Sequence, residues 1–235
     1  MLLGLRLHER GFWVVALAVT ALPATLVCPT VLSAEDAEVE FDYLPRVTGT
    51  NDAARRINGY FEKEDADAEA FRDDCLTEPG AFFERGVEVT FDGPRFLSVV
   101  ESVGYYCNDT AHPWTYVSPV TFDRATGLPV DWQGLLSIVP EPVPGNRALK
   151  LPAEMHEAFL AGIAPIPTEC VEALSKATMP FFLWLDGKRS ALAVRPAGLA
   201  HVDTPCEDTA YLSADLLSAF GVDPALLAGL AASSP

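Results

Sequence analysis

The sequence predicts an α+β fold: a mainly antiparallel sheet with hairpins, packed by an N-terminal helix and by C-terminal helices. Three observations predict it. One stretch of helical periodicity after residue 51 is followed by several stretches of strand periodicity. The strand-like stretches are separated by short turn sequences, among them Asp92-Gly93-Pro94, Asp123 through Gly127, and Asp186-Gly187. Helices and hairpins segregate along the chain instead of alternating as β-α-β units.

Taken in order, residues 39–44 read as a first strand. Thr50 or Asn51 then caps a helix with Asp52 in its first turn, where a carboxylate complements the helix dipole. Ile57, Tyr60, Phe61, Ala68, Phe71 and Cys75 recur at helical spacing on one face. The stretch from Glu62 to Asp74 carries seven acids against Lys63 and Arg72, a solvated surface or a docking face for a basic partner. After Pro79-Gly80 the period becomes two, and Val87, Val89 and Phe91 alternate with Glu88 and Thr90. A long second strand runs from Phe96 to Cys107. Trp114, Tyr116, Ser118, Val120 and Phe122 share one face of a third, in which Pro119 marks an edge or a bulge. Gly127 sits where the following hairpin loop needs a positive φ. A short strand to Trp132 and a helical turn come next, then a proline-rich connection from Pro140 to Pro152.

Helical spacing returns with Met155, Ala158, Phe159 and Ile163, and a second short helix surrounds Cys170 and Leu174. Residues 181–185 form an apolar strand, Asp186-Gly187 a two-residue turn, and residues 191–195 the return strand. Residues 210–212 make a last short strand. Ser213 caps a helix over 216–220, and Asp223-Pro224 opens a closing helix rich in alanine and leucine.

The first 34 residues differ from the rest. Arg6, His8 and Arg10 precede 24 uncharged residues, and acid begins abruptly at Glu35-Asp36. This is the layout of a secretory signal peptide, with small residues at Ser33 and Ala34 for cleavage. An uncleaved anchor needs about 20 apolar residues, and Pro23 and Pro29 would interrupt its helix. Cys28 as a lipid-bearing residue is disfavoured by Thr25-Leu26-Val27, which lacks the small residue such a site needs. We therefore expect a signal peptide at 1–34, one extracytoplasmic domain at 35–235, and membrane attachment only if the leader is retained. No internal repeat or Gly/Ser linker divides the domain.

The full chain of 235 residues carries 16 Lys and Arg against 33 Asp and Glu, net −17. Without Arg6, Arg10 and Glu9 the remainder holds 14 against 32, net −18. Such a surface lacks the basic footprint that nucleic acid requires. It suits a cationic partner instead. Cys75, Cys107, Cys170 and Cys206 remain after the leader, an even number that implies two disulfides in an exported chain. Three pairings are open, of which the sequence-local one, Cys75–Cys107 with Cys170–Cys206, is favoured. No CxxC pair or zinc spacing exists, so no metal or cofactor is expected.

Familiar catalytic motifs (GxSxG, HExxH, the P-loop, GxGxxG) are absent. The densest polar and aromatic cluster runs from Tyr105 to Trp114. Tyr105, Tyr106, Asp109, His112 and Trp114 are the candidate binding residues: Tyr and Trp give rigid contact area, and His112 adds an imidazole.

Within this region Gly104-Tyr105-Tyr106-Cys107, Ala111-His112-Pro113 and the run Thr121-Phe122-Asp123-Arg124-Ala125-Thr126-Gly127 resemble the extracytoplasmic domain of lysozyme-sensing anti-sigma factors of the RsiV type. The same domain is similar to the accessory region of peptidoglycan deacetylases of the PdaC type. Tyr43-Leu44-Pro45, Ile57-Asn58 and Pro205-Cys206-Glu207 fit its flanking parts. The resemblance implies a fold, an extracytoplasmic location and a binding role near the cell wall. With only ten residues before the apolar run, sigma-factor capture is not expected, nor is the deacetylase activity, since no trace of that catalytic domain is seen in these residues.

Three functions follow as expectations. The first is an exported binding module for a cationic protein such as lysozyme, or for a cell-wall component. The second is a wall hydrolase using His112 with Asp109, Glu101 or Asp123. The third is a structural envelope protein.

Overall fold

A computed structural model describes residues 39–77, 80–107, 110–136, 141–143, 147–176 and 178–232. The leader, Asp109 and parts of the proline-rich connection, including Pro140 and Pro144, lie outside the described residues. The elements are α1 (Asp52–Cys75), β1 (Phe82–Asp92), β2 (Phe96–Tyr106), β3 (Trp114–Asp123), β4 (Leu128–Pro129), α2 (Trp132–Leu135), β5 (Glu141–Pro142), β6 (Leu149–Lys150), α3 (Ala153–Gly162), α4 (Thr168–Leu174), β7 (Pro180–Asp186), β8 (Ala191–Pro196), β9 (Ala210–Ser213), α5 (Ala214–Ala219) and α6 (Pro224–Ala232). The strands form two antiparallel sheets instead of one, ordered β1-β2-β3-β4 and β5-β6-β7-β8-β9. The α+β class stands.

Asn51 is the cap of α1: its side-chain oxygen accepts from the Ala54 amide at 2.8 Å. Ile57 and Phe61 lie buried against Leu97, Val99, Val120 and Phe122 on the first sheet. Phe61 and Phe122 meet edge to face, with ring centroids 5.3 Å apart. The larger core belongs to the second sheet. Phe159, Phe181, Leu185, Leu192 and Leu217 pack there with Leu226 and Leu230 of α6. Gly127 has φ +72°, and a Cβ on it would stand 2.3 Å from the Ala53 carbonyl oxygen. The first-sheet hairpin therefore closes onto the start of α1 only with glycine there.

Four expectations change. Residues 39–44 make a single parallel bridge, Phe41 to Arg85, and not a full strand. Val89 is exposed and Thr90 buried because a bulge between Val89 and Phe91 shifts the alternation. That shift aims the Thr90 hydroxyl at the Leu185 carbonyl of the second sheet, 2.8 Å away. The β7–β8 turn has four residues, 187–190, with Ser190 at φ +49°. Asp186 accepts from the Arg189 amide and fixes that turn.

The fourth correction concerns Asp65, one of the acids on the presumed solvated stretch of α1. It is 4% exposed. Arg85, with no exposed surface, donates to Asp65 at 2.7 Å and to Glu101 at 2.6 Å. Asp65 also accepts from the Leu44 amide and from Arg46. Burial works to raise its pKa, but these donors outweigh burial and hold it below its ordinary 3.8.

Arg85→Met would strand two buried carboxylates. We expect a loss of about 3–5 kcal/mol in urea unfolding, partly recovered by adding Asp65→Asn and Glu101→Gln. Asp65 contributes stability above its unfolded pKa and loses it as pH falls through the folded value, so Asp65→Asn should flatten the acid limb of the stability curve.

Disulfides join Cys75–Cys107 and Cys170–Cys206, the sequence-local pairing. The first ties the end of α1 to the end of β2. Each closes a loop over a separation of 32 or 36 residues, stabilising by about 3–4 kcal/mol in the chain-entropy treatment. Thiol titration of the full chain, denatured without reductant, should find no more than one thiol, that of Cys28. Four or five would exclude both bridges.

Candidate functional site

The two sheets meet through a buried polar seam. Ser98 and Thr121 hydroxyls lie 2.5 Å apart, and Ser98 accepts from the Leu185 amide at 3.1 Å. Away from this seam the sheets part, and a cleft of about 650 Å³ opens beside the first half of β3. Pro113 through Ser118 form one wall. Phe182, residues 195–199, Thr204 and Glu207 form the other, with Arg147 at the side.

Trp114 and Tyr116 are large aromatics left 42% and 44% exposed at this cleft. β2–β3 register puts Tyr105 opposite Trp114. Tyr105 packs edge to face on Phe71 of α1, centroids 5.1 Å apart, so these three rings share the α1 side of the sheet. Tyr106 lies on the opposite face, stacked on Phe82. The predicted cluster is therefore split: Trp114 borders the cleft, Tyr105 supports it from behind, and Tyr106 does neither.

His112 is exposed, two residues before β3. Of its proposed hydrolytic partners, Asp109 lies outside the described residues, and Glu101 and Asp123 are elsewhere. Glu101 is spent on Arg85. Asp123 closes β3 at its far end, about 30 Å along the extended strand, where it pairs with Arg95 and accepts from the Ala125 amide. Thr110 accepts from the Cys107 amide and donates to the Cys107 carbonyl, and this closes the loop after β2. His156 is a half-buried packing residue: its Nε2 lies 2.7 Å from the Leu174 carbonyl oxygen and its ring meets Phe181 edge to face. Among the described residues no group of three or more His, Cys, Asp or Glu could hold a metal ion.

Sequence reasoning missed the second wall. Phe182, Arg195 and Glu207 follow Trp114 by 68 residues or more, and nothing local links them to it. Arg195 and Glu207 pair at 2.8 Å across the cleft wall. Tyr116 is half open, yet desolvation first, then the negative charge of Glu101, pushes its hydroxyl up to about 12. Tyr60 behaves alike, raised to about 12 mainly by burial against the partial opposition of Arg147.

These features define a disulfide-bonded α+β domain with a cleft between two sheets. Among the described residues no helix is long and apolar enough to cross a membrane. No family model matches the chain, and no curated protein matches it. Among solved structures it is similar to a DUF3298 family protein of Pseudomonas aeruginosa PAO1, with 16% identity over 72% of this chain and 70% of that one and a TM-score of 0.41. It is also similar to a member of the DUF3298 family from Bacteroides fragilis NCTC 9343, with 8% identity over 76% and 69% and a TM-score of 0.45.

A phenol raised in the fold binds its proton more tightly there than in the unfolded chain. Stability should fall as pH rises from about 10 to about 12. Tyr116→Phe is expected to remove one late step from the phenolate absorbance titration and to soften that decline.

Proposed function

We propose that this chain is an exported binding protein that engages a cationic protein at the cleft beside β3. The observation that carries the reading is the cleft itself: about 650 Å³, bordered by the half-exposed Trp114 and Tyr116, in a chain of net −17. Paired aromatics supply contact area at low entropy cost, and a strongly acidic surface accelerates the approach of a cation. Export is supported by the basic, apolar and small-residue layout of residues 1–34 and by two disulfides in a chain this size. The run from Gly104 to Gly127 supports a place among RsiV-type extracytoplasmic domains and makes lysozyme the first partner to test.

Calorimetry against a c-type lysozyme at about 50 and 300 mM salt tests it. Binding is expected at the lower salt, weaker at the higher, with Trp114→Ala lowering affinity about tenfold or more. No heat at either salt removes lysozyme as the partner.

A further inference from the structure

We propose that the ligand enters the cleft as an extended segment bearing Lys or Arg, added as a strand to the free edge of β3. The proposal rests on the reading of the cleft as a binding site and states how that site takes its partner.

The backbone directions of β3 can be assigned. Register with β2 is uninterrupted from Trp114 to Asp123. In an antiparallel pair alternate residues direct N–H and C=O to the same side. The Thr121 carbonyl accepts from the Val130 amide on the side away from β2. Pro119, Val117 and Thr115 therefore also face away, and Pro119, having no N–H, could face no other way without breaking the ladder. β4 covers this edge only at Phe122 and Asp123. Thr115 and Val117 thus each present an N–H and a C=O outward, and no hydrogen bond to them exists among the described residues.

The cleft lies along these groups. Six consecutive residues, Pro113 to Ser118, line it. Side chains of a strand alternate between faces, so a cavity lined by both parities follows the edge and not one face. A strand edge is normally guarded by charge, proline, a bulge or a covering segment. The opposite edge of this sheet has such a cover: the Asp42 amide donates to the Arg85 carbonyl and the Arg85 amide to the Glu40 carbonyl. Residues 114–118 carry no charge at all. From Thr115 to Pro119 the open edge spans about 17 Å, room for roughly five extended residues.

Charge selects the occupant. A second cavity of about 370 Å³ shares Thr115, Tyr116, Val117, Arg195 and Glu207 with the cleft and adds Glu40 and Glu84. Arg195 is neutralised by Glu207, Arg147 by Glu64, and Arg85 by Asp65 and Glu101. Glu40 and Glu84 have no ion pair among the described residues. The Glu84 carboxylate stands over Gly104 of β2, on the side of that strand where Thr115 of β3 is its neighbour: a Cβ on Gly104 would lie 3.9 Å from both Glu84 Oε2 and Thr115 Cγ2. An added strand therefore meets net negative charge at the Thr115 end. A second copy of this chain would bring its own −17 to the same place.

The probe is a blocked heptapeptide alternating lysine and valine, titrated into the full chain. We expect binding, slowed hydrogen exchange of the Thr115 and Val117 amides, and at least tenfold weaker binding to Val117→Pro and to Glu84→Gln. N-methylation of one alternate set of peptide amides should abolish binding, and of the other set should not. This arm leaves the protein unaltered and so does not depend on the folding of Val117→Pro. The proposal is overturned by any of four results: no binding, equal affinity for the glutamate–valine peptide, tolerance of both methylated sets, or bound peptide without protection of those two amides. Protection that grows with protein concentration alone would assign the edge to a second copy and overturn it likewise. Lysozyme binding that survives in the wild type while the peptide fails removes the added strand and leaves the proposed function standing. Loss of lysozyme binding with the peptide retained does the reverse.

Discussion

The buried guanidinium of Arg85 is the constraint from which the cleft end of this protein is built. An arginine with no exposed surface must have its charge answered from within, because desolvating it costs several kcal/mol. The answers come from three separate pieces of chain. Asp65 comes from α1, Glu101 from β2, and the Asp42 carbonyl from the segment before α1. None of these can move away without stranding the charge. The Phe41 ring covers the guanidinium at 5.1 Å, and Arg72 lies over the same ring. The network stands farther along the first sheet than the Leu97–Val99–Val120–Phe122 core, at Arg85 of β1 and Glu101 of β2. It and the Phe71–Phe83–Tyr105 cluster are what back the sheet where the cleft opens.

Most of the secondary structure was legible because it follows from short-range periodicity and capping. The α1 stripe, the Asp123–Gly127 loop, the Ser213 cap and the β7–β8 hairpin are each decided by residues within a turn or two. For Asp65 and the β1 bulge the failure has a shared physical cause: long-range partners reversed a local preference. Asp65 looks like any other acid in a helix rich in acids, and only Arg85 makes it a core residue. Arg85 shares parity with Phe83 and Val87, so a two-residue period would have flagged it as inward-facing. The bulge at Val89–Phe91 has no local signature. It lets Thr90 meet the second sheet, where the Gly187 amide donates to the Thr90 carbonyl at 2.7 Å.

The candidate site divides along the same line. Trp114 was legible as an exposed aromatic beside a loop, and Pro119 as an edge marker. Splitting of Tyr105 from Tyr106 follows from strand alternation and was available in principle. The far wall was not, since Phe182 and Arg195 come from a different sheet, brought to β3 by contacts such as the Ser98–Thr121–Leu185 seam.

Composition acquires a location through this geometry. The described arginines and lysines are nearly all held in ion pairs, from Arg46 with Asp65 to Arg195 with Glu207. Pairing removes them from the field that an approaching molecule feels. The acids that remain uncompensated then set its sign at both ranges. At a distance the chain presents the bulk of its −17, which guides encounter and is screened beyond about 10 Å in ordinary salt. Next to the cleft, in the smaller cavity that shares Thr115, Tyr116 and Val117 with it, Glu40 and Glu84 keep the same sign. On the proposed reading, attraction over the surface and selection at the site therefore act in the same direction, and a cation drawn in by the surface would not be rejected at the cleft.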